Sequence, residues 1–249
     1  MIFTAPYSIV GTSDLALHLH AEHLADLRAS GLNDETIRAA GVHSLSPNLM
    51  THFFGRAGAP QEISTALCFP YQGDEFARIK LFPALGKMKY AQPPKTSTRL
   101  YIPFRVTDGA VCVCEGEKKT LAAWQHGLNA VGIGGVWSWM SKSEPIDDLK
   151  MIEWDGRECT IVPDSDVFHR GNLLRAIYAL GRELRELGAQ VYLAELPQQG
   201  ATKTGLDDLL ASGGSVDALE VFRLDHRRFK AVEFWHRDWK IKRALRAAA

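Results

Sequence analysis

Short apolar runs alternate with amphipathic stretches through the middle of the chain. Val111 and Val113, with Cys112 and Cys114 between and after them, form a run that Glu115-Gly116 breaks, and residues 118–126 then take up a helical period. Thr160-Ile161-Val162 is a second run, punctuated by Pro163 and followed from Asn172 to Leu187 by Leu173, Leu174, Ile177, Leu180 and Leu184 on one helical face. Val191 to Leu196 is a third. Strands and helices in that order predict a parallel sheet buried on both faces. Each acidic cluster then stands at the carboxyl end of a strand, where such sheets collect ligands.

The flanks have a different texture. Residues 14–30 open on a Ser13-Asp14 cap and carry Leu15, Leu19, Leu24 and Leu27 in helical register, and a second helix runs from Asn33 or Asp34 to about Ala40, stopped by Gly41. Between Ala66 and Pro103 lie Leu67-Cys68-Phe69-Pro70-Tyr71, Phe76-Ala77-Arg78-Ile79-Lys80-Leu81 and Leu100-Tyr101-Ile102-Pro103, separated by Gly73-Asp74 and by Gln92-Pro93-Pro94-Lys95. This predicts an antiparallel meander. Residues 225–246 mix Lys and Arg with Phe229, Phe234, Trp235, Trp239 and Ile241, a basic amphipathic helix that either grips nucleic acid or a partner or docks on the sheet.

With 249 residues, 29 of them basic and 29 acidic, the net charge is zero, so nucleic acid can be held only by a local patch. The N-terminus has neither the basic start nor the apolar core of a signal peptide, and no run approaches ~20 apolar residues, which predicts a cytoplasmic protein. Cys68, Cys112, Cys114 and Cys159 lack zinc spacing and are expected as reduced core residues. His18, His20 and His23 do not share one helical face, and a solvated helix is expected of them.

Three carboxylates, Glu115, Asp164 and Asp166, converge if their strands are neighbours. Such a cluster is costly unless a divalent cation neutralises it, and magnesium suits it because it takes few carboxylates and keeps several waters. Arg78 and Lys80 alternate with Ile79 and Leu81 and so share a strand face, with Lys87, Lys89, Lys95, Arg99 and Arg105 nearby in sequence and Tyr90 and Tyr101 available to stack on bases. The face is either a track for phosphates or the solvated side of a sheet. Lys118 and Lys119 open the helix after Glu115 and are phosphate ligands or ordinary first-turn lysines. Gly132, Gly134 and Gly135 match no phosphate-loop spacing and predict a tight turn beside the acids; Trp137 and Trp139 either pack or stack on a base. Asp207 and Asp208 either join the acids or cap the helix of Leu209-Leu210.

A strand ending in Glu-Gly-Glu-Lys-Lys, a Gly-Ile-Gly-Gly turn and a strand ending in Asp-Ser-Asp resemble the TOPRIM fold shared by primases, topoisomerases and certain nucleases. Together with LRASGLNDETIRAAGV, KMKYAQPP, RLYIP and KTGLDDLL, they resemble, over roughly residues 20 to 212, the TOPRIM-like domains of phage and plasmid primases or primase-helicases. The resemblance implies that Glu115, Asp164 and Asp166 are catalytic. It also implies that these three, with Asp207 or Asp208, bind magnesium or its substitute manganese, and that Glu115 also moves a proton. The zinc module that the bacterial replicative primase sets before this fold has no counterpart in this sequence.

The expected fold is therefore α/β: a TOPRIM-like (Rossmann-like) core with a mainly parallel sheet, an N-terminal helix and small antiparallel sheet module, and a basic C-terminal helix. The expected boundaries are 1–103, 104–212 and 213–249. The expected function is magnesium-dependent primase-type nucleotidyl transfer in phage or plasmid replication, using nucleotides, single-stranded DNA or another nucleic acid, and a separate helicase or replication protein as partners. Arg78, Lys80, Lys89, Arg99, Lys118 and Lys119 are the candidate nucleic-acid contacts. The alternatives are a TOPRIM endonuclease, since the same chemistry cleaves phosphodiesters, and a non-catalytic nucleic-acid-binding or inhibitory module.

Overall fold

The computed structural model describes residues 19–55, 58–71, 75–198 and 202–247. The expected Ser13-Asp14 cap, Leu15, His18, Gly73-Asp74 and Gln199-Gly200 lie outside the described residues. The chain divides into two units, one reaching to Ser97 and including Ile102–Arg105, the other made of Thr98–Tyr101 and everything from Val106.

The first unit holds α1 (Ala21–Ala29), α2 (Asp34–Ala39), β1 (His43–Leu45), α3 (Thr51–Phe54), β2 (Thr65–Pro70), β3 (Ala77–Leu85) and β4 (Met88–Ala91). The Asn33 side chain starts α2 by accepting a hydrogen bond from the Thr36 amide at 2.8 Å, which makes Asp34 the first helical residue. The four strands form an antiparallel sheet in the order β1-β2-β3-β4. One face buries Leu45, Met50, Phe53, Ile63, Ala66, Cys68, Ile79 and Leu81. Along β3 the alternation is as expected: Ala77, Ile79 and Leu81 are buried, while Arg78 and Lys80 are half-buried on the other side.

The second unit holds β5 (Leu100–Tyr101), β6 (Val111–Glu115), α4 (Glu117–Gln125), β7 (Ala130–Ile133), β8 (Met140–Ser141), β9 (Glu144–Pro145), β10 (Glu158–Val162), α5 (Gly171–Glu186), β11 (Gln190–Glu195), α6 (Leu206–Ala211), β12 (Glu220–Arg223) and α7 (Lys230–Ala247). Six of these strands form one sheet in the order β12-β11-β10-β6-β7-β5. The four central strands are parallel, and both edges are antiparallel. This is the mainly parallel α/β sheet that the apolar runs predict. The meander is shorter than expected, however. Leu100 and Tyr101 leave it and pair with β7, because the buried Asp148 carboxylate accepts the Leu100 amide at 2.9 Å and holds the Arg99 guanidinium at 2.8 Å.

From β6 the chain passes through α4 to β7 on one side, and from β10 it passes through α5 to β11 on the other. Right-handed crossovers in opposite directions put α4 and α5 on opposite faces. Helix α6 packs on α4, and α7 packs on α5. The basic C-terminal segment thus docks through Val232 and His236, with Lys240 bound to Glu186 at 2.6 Å and Arg243 bound to Glu183 and Glu144. All four cysteines are buried and free, and no helix among the described residues is long and apolar enough to cross a membrane.

Two buried histidines make folding sensitive to acid. His23 in the first unit donates to or accepts from Ser44 Oγ at 2.7 Å through Nδ1, and its Nε2 has no partner. His236 on α7 lies among Arg182, Lys240, Arg243 and Glu186, also with Nε2 unpaired. Burial, aided by His20 in one case and Arg182 in the other, lowers each ring's pKa from 6.5 to about 4. The unfolded chain therefore binds more protons between pH 6.5 and 4, so stability is complete above that window and falls as pH drops through it. Each ring should cost about 2 kcal/mol by pH 5. Urea unfolding at pH 7 and pH 5 checks this, and His236→Phe should flatten the pH dependence of the second unit.

Candidate active site

The site forms where the sheet reverses its winding, between β6 and β10. Val162 is paired with Cys114, so Glu115 and Asp164 leave the carboxyl ends of adjacent parallel strands almost side by side. Asp164 is 2% exposed. Two ammonium groups reach it: Lys119, from the first turn of α4, lies 3.1 Å from Oδ1, and Lys203 binds Oδ2. The Lys119 approach is off the direction of a hydrogen bond, so Oδ1 keeps a lone pair that no donor fills. Burial and the adjacent Asp164 charge raise the Glu115 pKa above the usual carboxylate range, against the opposing pull of Lys119 and Lys203. Burial acts to lower the Lys119 pKa, but Asp164, Asp207 and Glu115 more than offset it and hold the ammonium charged.

The loop before α6 closes the site. Thr204 donates its amide to Ser165 Oγ at 2.8 Å, and the Ser165 amide returns a hydrogen bond to the Thr204 carbonyl at 3.0 Å. Gly205 follows because there is no room for a side chain: a Cβ there would lie 2.5 Å from Lys119 Cε and 2.5 Å from Asp207 Oδ1. Asp207 is buried beside Lys119, whereas Asp208 caps α6 by accepting the Gly205 amide at 2.7 Å. Asp166 turns to Arg170, which donates to it at 3.0 Å. Glu115, Asp164 and Asp207 are therefore brought together with Lys119 and Lys203, while Asp166 and Asp208 are engaged elsewhere.

Among the described residues no group of three His, Cys, Asp or Glu side chains is placed to hold a metal ion. Magnesium needs less than that when it arrives with phosphates, taking one or two carboxylates and filling its shell with water and phosphate oxygens. Glu115 and the unfilled lone pair of Asp164 Oδ1 fit that mode of binding.

The expected nucleic-acid contacts are more dispersed. Arg78 lies over the Tyr90 ring at 5.0 Å, and Lys89 is exposed beside Lys87 on the β3-β4 hairpin. Lys80 is tied to Asp26 at 2.5 Å and Arg99 to Asp148, so both charges are already balanced within the protein. Lys118 is half-buried on α4. The glycine run divides its work: Gly132 lies within β7 and only Gly134-Gly135 turns. Trp139 is fully buried, while its stacked neighbour Trp137 is 39% exposed. Sequence reasoning missed Lys203 as a member of the site. Its signal was a lysine in the loop that carries Asp207, but nothing local shows that this loop folds back onto Asp164.

Solved structures of bacterial primases share this architecture. The zinc-binding and RNA polymerase domains of the Aquifex aeolicus primase match with a TM-score of 0.57 at 12% identity, over 82% of this chain and 57% of that one. The fold is that of a primase catalytic core. The RNA polymerase domain of Mycobacterium tuberculosis primase DnaG, solved with a double-stranded DNA oligomer bearing a 6-nucleotide overhang, matches with a TM-score of 0.57 at 19% identity, over 86% of this chain and 76% of that one. A DnaG primase catalytic domain bound to ssDNA gives 0.52 at 15%, with the same coverages of 86% and 76%. The chain spans little more than half the length of the solved Aquifex chain. A family model described as a domain of unknown function (DUF3854) matches residues 105–216, the part of the primase-like fold that contains the site. No curated protein matches the chain.

Proposed function

We propose that the protein performs primase-type nucleotidyl transfer on a single-stranded nucleic-acid template, in a replication system of the phage or plasmid kind with a separate helicase as partner. The observation that carries this reading is the meeting of Glu115 and Asp164 at the switch point of a primase-like sheet. In the reaction the hydroxyl at the growing end attacks the α-phosphate of a nucleoside triphosphate, a phosphorus-oxygen bond forms, and pyrophosphate leaves. Glu115, whose raised pKa suits it to hold a proton, accepts the one lost by the hydroxyl. Lys119 is fixed where it neutralises charge gathering beside Asp164. Asp164 would hold a magnesium ion, which when bound would balance the charge of the phosphates.

A second reading, a non-catalytic nucleic-acid-binding module, is favoured by the two lysines already on Asp164. One assay separates these readings and the endonuclease: labelled nucleotides, a single-stranded template and magnesium or manganese, scored for synthesis and for cleavage. Template-dependent products support the transferase, cleavage alone supports the nuclease, and binding with neither supports the module.

For the nucleic acid itself we propose the β3-β4 hairpin, where the exposed Lys87 and Lys89 stand on the same hairpin as the half-buried Arg78 and the Tyr90 ring beneath it. Replacing Arg78 and Lys89 with alanine should weaken single-strand binding at every sequence and lower the log-log salt slope by roughly 0.7 for each phosphate no longer neutralised. Lys80→Ala should leave the slope unchanged, because its charge is committed to Asp26. Fluorescence anisotropy across a salt series checks both. Equal slopes in the wild type and the Arg78/Lys89 variant would remove the hairpin from consideration.

A further inference from the structure

The two lysines on Asp164 are held in different ways. Lys119 is 19% exposed, rises from a helix, and passes its stem through the space that the absent side chain of Gly205 leaves. Its stem is hemmed in and its ammonium lies between Asp164 and Asp207. Lys203 is 58% exposed and stands on a loop, yet its neighbour Thr204 is pinned to Ser165 by two hydrogen bonds. Its backbone is therefore anchored beside Asp164 while its ammonium group borders solvent.

A buried carboxylate must be compensated, and Lys119, although it also faces Asp207, stays paired with Asp164 whatever Lys203 does. Lys203 is then the second cation on a single anion, the one whose departure leaves Asp164 still paired. An ammonium in that position needs another strong anion to go to, and phosphate oxygens are the natural acceptors. We propose that Lys203 is a phosphate-responsive latch: it covers Asp164 Oδ2 in the free protein and transfers to the polyphosphate chain of a nucleoside triphosphate, uncovering the carboxylate for the cation that accompanies the phosphates. This rests on the transferase reading and adds to it an order of events, because the metal site is complete only after the polyphosphate has drawn Lys203 away. A bare divalent cation meets a positive charge; a cation arriving with phosphate does not.

Removing the lysine should therefore have effects of opposite sign on two ligands. The full chain is titrated with inorganic tripolyphosphate in EDTA, and separately with Mn2+ in the absence of phosphate. Lys203→Gln should weaken tripolyphosphate by about tenfold or more and tighten Mn2+ by a similar factor, while Lys203→Arg should keep both near wild type. Lys203→Met substitutes where the Gln variant is not recovered folded, as judged by circular dichroism. A lysine that merely stabilises the loop would leave both affinities unchanged or weaken both, and either result overturns the latch, as does a wild type that takes no tripolyphosphate. The test does not depend on synthesis. Opposite shifts in a protein that makes no product keep the latch and remove the transferase, whereas synthesis without those shifts removes only the latch.

Discussion

Glu115→Gln and Asp164→Asn should both abolish template-directed synthesis, by about 10³-fold or more, and should change stability unequally. Glu115 is a desolvated carboxyl beside a like charge, so neutralising it relieves repulsion and leaves the fold unchanged or up to about 1 kcal/mol more stable. Asp164 is the counter-ion of the largely buried Lys119 and of Lys203. Removing its charge leaves Lys119 only Asp207 and the more distant influence of Glu115 and should cost about 3 kcal/mol, the expense of breaking a buried pair from one side. Denaturant unfolding alongside the synthesis assay checks both halves. An Asp164→Asn protein as stable as the wild type would mean that the lysines do not depend on it. A Glu115→Gln protein that still synthesises would remove Glu115 from proton transfer.

Gly132→Ala should damage the second unit severely for the sake of a single methyl. A Cβ there would lie 2.3 Å from Thr120 Oγ1, 3.3 Å from Tyr101 Cβ and 3.4 Å from the Gly116 carbonyl. Thr120 cannot turn aside freely, because its hydroxyl donates to that same carbonyl at 2.8 Å. Helix α4 must instead lift from β7, at a cost of about 2–3 kcal/mol, and the movement carries Lys119 away from Asp164. Thr120→Ala in the same chain removes the obstructing atom. A double-mutant cycle should return most of the stability, with a coupling of about 1–2 kcal/mol. Additive losses would show that the strain is taken up at Tyr101 or in the backbone and not at Thr120.

The alternation of residues decided much about this protein before any tertiary packing was known. The apolar runs ending at Glu115, at Val162 and at Leu196 are strands because apolar residues on both faces suit a sheet covered on both sides: Val111 to Cys114 are all buried, as are Cys159, Ile161 and Val162 in the second run and Val191, Leu193 and Ala194 in the third. The helical period from Asn172 to Leu187 is α5 because its leucines share a face. Those local patterns sufficed to put Glu115 and Asp164 at strand ends. They could not separate Asp164 from Asp166, or Asp207 from Asp208, because adjacent carboxylates look alike until burial and partners divide them. Asp166 meets Arg170 and Asp208 meets the Gly205 amide, while Asp164 and Asp207 turn inward to Lys119. The same holds for the cations. Arg78 and Lys80 are equivalent along the strand, and tertiary partners set them apart: Asp26, 54 positions upstream, takes Lys80, while Arg78 lies over Tyr90. Leu100 and Tyr101 read as part of the meander because short edge strands carry no mark of their sheet; a carboxylate 48 positions away, at Asp148, assigns them to β7. Periodicity is written in neighbouring residues and survives in the sequence alone. Charge compensation is settled between residues distant in the chain, and it was the tertiary structure that turned a row of acids into two lysines sharing one buried aspartate.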